Sequence, residues 1–328
     1  MLLAKEKHGY IVWHIAVYFG NLEVLETIWS WAKEAELNPD ELLLAQCELG
    51  QTALHVAVQE NQEQIFDTLW IWAEEQLKIN ELKKKLLLAK DKKGDTAWHH
   101  AAELGRLEAL ETLWGWTKEV ELIPDELLLD KDKYGQTALH MAAQENRIEI
   151  LQKLWVWAEK CHMNPNELKK KLLLAKDKDG YNAWHHAANF GRLEALETLW
   201  GCAKEVEIKL DEYLLVETEE RQTAFQLAAQ ENQTEVLQKM WVWAAESTEN
   251  TNEIKKHLLL DKDKDGYTAW HMAAQFDGLE ALETLRHCAE ELELNLDEML
   301  LAETEEGQTI FHLAAQQNHM EILQKMWV

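Results

Sequence analysis

Gln51-Thr52-Ala53-Leu54-His55-Val56-Ala57-Val58 returns along the whole chain. It reappears as Thr96-Ala97-Trp98-His99-His100-Ala101-Ala102 and as Thr137-Ala138-Leu139-His140-Met141-Ala142-Ala143, then with substitutions at 182–188, 223–229, 268–274 and 309–315. A degenerate first copy occupies 11–17. The anchor position falls on His14, His55, His99, His140, His185, Gln226, His271 and His312, which numbers eight repeats. A chain built this way is read as an array whose units lean on their neighbours, so the functional question moves from a cleft to a surface.

Successive anchors lie 41, 44, 41, 45, 41, 45 and 41 residues apart. The alternation makes the true unit a pair of repeats, about 86 residues long. Odd repeats carry Gly105-Arg106-Leu107-Glu108-Ala109-Leu110-Glu111-Thr112-Leu113-Trp114, matched at 191–200. Even repeats carry Gln144-Glu145-Asn146-Arg147-Ile148-Glu149-Ile150-Leu151-Gln152-Lys153-Leu154-Trp155, matched at 230–241.

One repeat reads as three helices. Asp132-Lys133-Tyr134-Gly135 is a turn in which glycine supplies the positive φ. Thr137 follows at a helix N-cap, with the anchor His140 at N3, where its side chain can answer back to the cap. Thr223 and Gln226 form an ordinary capping box, so the anchor histidines are read as punctuation and not as catalytic bases. Ile148, Ile150, Leu151, Leu154 and Trp155 give a second, amphipathic helix. Asn164-Pro165-Asn166-Glu167 starts a third, which runs through a leucine triplet.

The order turn-Gly-x-Thr-x-x-His-x-Ala-Ala-x-x-Gly, followed by a helix ending in large apolar residues, resembles the ankyrin repeat. Gly94, Thr96, His99, Ala101, Ala102, Gly105 and Leu113 carry the resemblance, which covers nearly the whole chain. It implies an all-α, ankyrin-type solenoid of about eight repeats. Residues 1–328 are expected to form one continuous array, with its last repeat cut short. Three departures stand out. Ala53, Ala97 and Ala138 replace the usual proline, and Asn61, Asn146, Asn232 and Asn318 replace a glycine. The period also exceeds the family's roughly 33 residues. A HEAT- or armadillo-like solenoid fits the period better, but the turn signature favours ankyrin. The excess length holds the leucine triplets at 42–44, 86–88, 127–129, 172–174 and 258–260. It accompanies a second tryptophan two residues after the first, as in Trp29/Trp31, Trp70/Trp72, Trp114/Trp116, Trp155/Trp157 and Trp241/Trp243. Residues at i and i+2 do not share a helix face. The added third helix is therefore expected to cover the second indole. Cys202, and Arg286 with Cys288, break the pair in repeats five and seven, where thinner packing is expected.

Composition narrows the function. A net charge of −27, from 33 basic and 60 acidic residues, argues against nucleic acid. No apolar run is long enough for a membrane span. Cys47, Cys161, Cys202 and Cys288 share no motif, which fits a cytoplasmic or other reducing compartment. His99/His100 and His185/His186 are adjacent on a helix and point about 100° apart, so each pair is a poor chelate. No metal, cofactor or catalytic residue is expected.

The ankyrin resemblance implies a protein-interaction scaffold that works through turn tips and the concave face of the first helices. The matching positions are Tyr10, Tyr18, Phe19, Lys93, Asp95, Leu104, Tyr134, Gln136, Tyr181, Phe190, Tyr267 and Phe276, with His8 at the first tip. Even repeats add Lys83-Lys84-Lys85, Lys169-Lys170-Lys171 and Lys255-Lys256. These are read in the first turn of the third helix, against the helix dipole, as candidate docking points for an acidic partner. Alternatives are a structural spacer, or a targeting segment of a larger effector or toxin whose active part lies elsewhere. Met1 to Gly9 reads as the tail of a further third helix, and Trp327-Val328 falls inside a second helix, so a longer array is expected.

Overall fold

The computed structural model describes residues 2–7, 9–74, 79–161, 164–246 and 250–327; His8 and Val328 lie outside that set. The described residues form 23 α-helices and no strand, with one isolated bridge between Glu217 and Thr223. Contacts divide the chain into two compact units, Met1–Ala142 with Gln152–Leu168, and Ala143–Leu151 with Lys169–Val328.

The expected three helices per repeat are present. In the first unit, repeat three runs through Ala97–Leu104, Leu107–Glu119 and Pro124–Leu128. In the second, repeat six runs through Ala224–Gln230, Thr234–Glu246 and Thr251–Leu260. Alanines on the first helices, such as Ala228, Ala229, Ala273 and Ala274, are fully buried and let successive first helices pack closely. The third helix of repeat six packs on its own second helix and on the first helix of repeat seven.

Helix length explains the alternating period. Third helices of odd repeats have 5 residues: Pro39–Leu43, Pro124–Leu128, Leu210–Leu214 and Leu296–Leu300. Those of even repeats have 9 or 10: Ile79–Leu87, Pro165–Leu174 and Thr251–Leu260. The difference is about one helical turn. The lysine clusters occupy this longer helix. Lys84, Lys85 and Lys171 lie in its last turn, where the dipole favours a cation. Sequence spacing places them in the first turn, but the helix that begins at Pro165 has Lys169 as its fifth residue, already past that turn.

The tryptophans build the junctions. Trp72, Trp116, Trp157 and Trp243 are buried, as expected, but the ring that covers each is not on its own third helix. Each stacks on the first tryptophan of the preceding repeat: Trp29–Trp72 at 4.8 Å, Trp70–Trp116 at 4.1 Å, Trp114–Trp157 at 4.7 Å and Trp200–Trp243 at 5.1 Å. A third indole comes from the first helix of the odd repeat. Trp13, Trp98 and Trp184 lie 5.5–5.6 Å from Trp72, Trp157 and Trp243. Even repeats have Leu54, Leu139 and Phe225 at that place. The junctions that follow repeats one, three and five therefore each hold an indole triad, two rings from the odd repeat and one from the even, whereas Arg286 stands at the first-tryptophan place in repeat seven. In repeat seven, where Cys288 replaces the second tryptophan, a groove opens along Trp241, Val242, Thr284, His287 and Cys288.

Left-handed residues end the first helices. The residue six beyond each anchor has positive φ in all eight repeats: Gly20, Gly105 and Gly191; Asn61, Asn146, Asn232 and Asn318; and Asp277. Asparagine and aspartate tolerate this region because their short side chains bond locally. The tip glycines are a second set, and Arg221 replaces glycine there at φ 61°. Its side chain makes one exposed contact, with Glu217 at 3.7 Å, which offsets little. Arg221→Gly is expected to raise stability by about 0.5–1 kcal/mol, read as a higher urea midpoint at unchanged slope.

Candidate functional site

The tips are fixed from within. An aspartate eight residues before the anchor accepts, through Oδ1, from N–H groups two and four residues on. Asp132 accepts from Tyr134 at 2.9 Å and Gln136 at 2.7 Å; Asp177 from Asp179 at 3.0 Å and Tyr181 at 2.8 Å; Asp263 from Asp265 at 3.0 Å and Tyr267 at 2.8 Å. Thr218 and Thr304 do part of this through Oγ1. Glycine alone does not account for the turns; the signal in the sequence is the recurrence of aspartate at one offset, at Asp91, Asp132, Asp177 and Asp263. Neighbouring tips are joined by backbone bonds, as from Lys133 N–H to the Lys93 carbonyl at 2.8 Å and from Lys264 N–H to the Glu220 carbonyl at 3.0 Å.

The anchor histidines lie beneath the tips. His55 Nδ1 accepts from Thr52 N–H at 3.1 Å, and its Nε2 donates to the Asp95 carbonyl of the next repeat at 3.1 Å. Gln226 reproduces both contacts, accepting from Thr223 N–H at 2.8 Å and donating to the Asp261 carbonyl at 2.8 Å. The anchor thus caps one helix and fastens the following repeat, and it must be neutral to do so. Burial pushes His55 down to about 4 and His185 down to about 3. Tyr10, Tyr181 and Tyr267 lay ring edges on His14, His185 and His271 and are half-buried. They present only part of a ring to solvent.

The expected partner-binding positions separate by exposure. Tyr18, Phe19, Lys93, Tyr134, Phe190 and Phe276 are exposed, Phe19 by 74%. Tyr18 and Phe19 meet edge to face at 5.1 Å. Leu104 and Gln136 are half-buried, whereas Asp95 is buried and is no tip contact. Phe19, Phe190 and Phe276 occupy one structural place, the C-cap of the first helix in repeats one, five and seven. The same place holds Glu60, Glu145, Glu231 and Gln317 in even repeats. Phe19 and Tyr134 belong to the first unit, Phe190 and Phe276 to the second.

The lysine clusters divide too. Lys83, Lys169 and Lys255, expected as docking points, are buried. Lys83 Nζ lies 4.4 Å from the Trp70 ring and 3.1 Å from Glu119 Oε2 of the next repeat, and Trp70 Nε1 donates to the same carboxylate at 2.8 Å. Lys255 repeats the arrangement over Trp241 at 4.6 Å with Glu291, and Lys169 pairs with Glu205. Hydrogen bonds from Lys255 and Trp241 hold the Glu291 carboxyl below the usual carboxylate range. The stems pack and the ammonium groups clamp the next repeat through cation–π contact and a shared carboxylate. Lys84, Lys170 and Lys256 are half-exposed and Lys85 and Lys171 exposed, so these alone are open to a partner. Burial raises the Cys161, Cys202 and Cys288 thiols to about 12, which keeps them protonated and poor as nucleophiles.

The sequence profile of a family described as ankyrin repeats (3 copies) matches residues 77–167 and 121–212. No curated protein matches the chain. Among solved structures, the crystal structure of the ankyrin repeat domain of Bcl-3, a member of the IkappaB protein family, is similar at a TM-score of 0.53 and 19% identity. That match covers 85% of this chain and 100% of the other, and the likeness is one of fold.

Proposed function

Since the chain is an ankyrin-repeat protein, we propose that it is a non-catalytic scaffold. Its partner protein is gripped by the tips and by the ends of the first helices in odd repeats. One observation carries this reading. An exposed ring stands at the same C-cap in repeats one, five and seven, where even repeats carry glutamate or glutamine. Exposed rings held on rigid elements are the usual anchors of an interface. The acids at the matching C-caps of even repeats, in a chain of net charge −27, favour a partner with apolar pockets and a basic rim. Ankyrin repeats generally mediate protein–protein interaction, and among the described residues no helix is long and apolar enough to cross a membrane. The repeat signature runs without interruption through residues 11–315, which supports one array. The half-exposed and exposed lysines remain a second candidate contact, for an acidic partner.

The test is quantitative capture from cell lysate on the immobilised full chain. Substituting Tyr18, Phe19, Phe190 and Phe276 together with serine is expected to remove the captured partner, each anchor costing about 2 kcal/mol or more of binding. Surface changes of this kind are expected to alter stability by no more than about 0.5 kcal/mol apiece. A partner retained in full by the folded variant would overturn this assignment of the anchors, and a parent chain that captures nothing would favour the spacer reading.

A further inference from the structure

Repeat three holds one buried carboxylate more than its architecture uses. Asp91 does what the other tip aspartates do, its Oδ1 accepting from Lys93 N–H at 2.8 Å and Asp95 N–H at 3.0 Å. Its Oδ2 lies 3.2 Å from His100 Nε2, as Asp177 Oδ2 lies 2.9 Å from His186 Nε2 in repeat five. The residue four beyond the tip aspartate is Tyr181 in repeat five, Tyr267 in repeat seven and Gln136 in repeat four. In repeat three it is Asp95, only 3% exposed, whose Oδ1 has no hydrogen-bond partner. A buried carboxylate is normally paired or bound to a metal. The tip turn, the capping box and the first helix all form in the other repeats without it.

We propose that Asp91, Asp95 and His100 form a binding site for a divalent transition ion of the zinc class. One ligand atom from each residue lies within 4.8 Å of the others. An imidazole with two carboxylates is a donor set that suits zinc, whereas calcium and magnesium prefer oxygen alone. The ion's charge offsets the two carboxylates and gives Asp95 Oδ1 the partner it lacks. The other ring nitrogen is held within the protein, His100 Nδ1 lying 3.2 Å from Gln59 Nε2 and 3.7 Å from Glu103 Oε2, so the ring is oriented with Nε2 toward the carboxylates. His55 is not a ligand; its ring meets His100 edge to face at 5.7 Å and both its nitrogens are engaged within the fold. Adjacency in the sequence pairs His100 with His99, whereas the cluster is assembled from a tip and a helix. An ion here would tie the tip of repeat three to its first helix, beside the exposed Lys93.

The test uses the full chain, stripped with a chelator and titrated with zinc chloride by calorimetry at pH 7.5. The chain itself supplies substitutions compatible with the fold, because repeat seven carries Met272 at the position of His100. One equivalent of zinc is expected to bind and to raise the melting temperature. Asp95→Asn and His100→Met should each weaken binding at least tenfold while keeping the helical circular dichroism of the parent. His186→Met, which alters the repeat-five pair, should leave binding unchanged. Absence of a zinc site in the parent chain, or zinc bound equally well by either of the first two variants, would overturn the proposal.

Discussion

Trp243→Ala is expected to lower stability by about 3–5 kcal/mol, the range for removing a large buried aromatic side chain. Trp243 is buried against two indoles, Trp200 at 5.1 Å and Trp184 at 5.5 Å, and both belong to the preceding repeat. Removing it leaves a cavity at a junction, and in a repeat array the junctions carry the cooperativity. Urea denaturation followed by circular dichroism should therefore show a lower midpoint, with the transition broadened or split. Trp31 occupies the same place in repeat one, makes no ring stack among the described residues and is 54% exposed. Trp31→Ala should change stability by no more than about 0.5 kcal/mol. Equal losses from the two substitutions would show that the indole is valued for helix propensity or local contact, and not for the junction.

The second large effect concerns acid. His185 is fully buried, its Nδ1 accepting from Asn182 N–H at 3.2 Å and its Nε2 donating to the Val216 carbonyl at 2.9 Å. Burial holds it at about 3, helped by the nearby charges of His186 and Lys176 and opposed by the Val216 hydrogen bond and by Asp177. The folded value lies below the unfolded value of about 6.5. Its contribution is thus complete above pH 6.5 and is lost as the pH falls toward 3, because the unfolded chain takes up a proton that the folded chain refuses. The slope approaches 1.4 kcal/mol per pH unit, so on the order of 2–3 kcal/mol disappears between pH 6.5 and 4.5. His185→Gln should hold both contacts, as Gln226 does in repeat six, and cannot titrate. Its stability is expected to be within about 1 kcal/mol of the parent at pH 7 and to exceed the parent's at pH 4.5. An acid limb of unchanged steepness in the variant would sink this assignment.

What the sequence disclosed follows from which features are local. Caps, turns and left-handed ends are set by a few consecutive residues. Thr52 with His55, Thr223 with Gln226 and the asparagines at 61, 146, 232 and 318 therefore behave as their spacing implies. The resemblance to ankyrin repeats rested on these short-range signals. Contacts between repeats were harder to read. Trp157 lies 43 residues from Trp114 and 59 from Trp98, and nothing in the local pattern names them as partners. The leucine triplets drew attention to the third helix instead. The lysine clusters misled for a related reason. Consecutive basic residues look solvated, but successive helical residues point about 100° apart, so a run of three covers more than one face of the helix. Lys83, Lys169 and Lys255 face inward, and each meets a glutamate of the next repeat. At the candidate interface, position along the repeat was legible and burial was not. Asp95 and Phe190 both fall at family contact positions, yet one is buried and the other exposed.

Scaffold and surface are separable only if the two-repeat period belongs to the junctions: a shared indole triad after repeats one, three and five, and a lysine–glutamate clamp where even meets odd. The tips and C-cap rings are then free to serve a partner. A double-mutant cycle on Trp200 and Trp243, with each alanine variant and the double variant unfolded in urea, tests this most directly. Direct stacking across the junction is expected to give a coupling energy of about 1 kcal/mol or more. Additive losses, with coupling below about 0.3 kcal/mol, would contradict it.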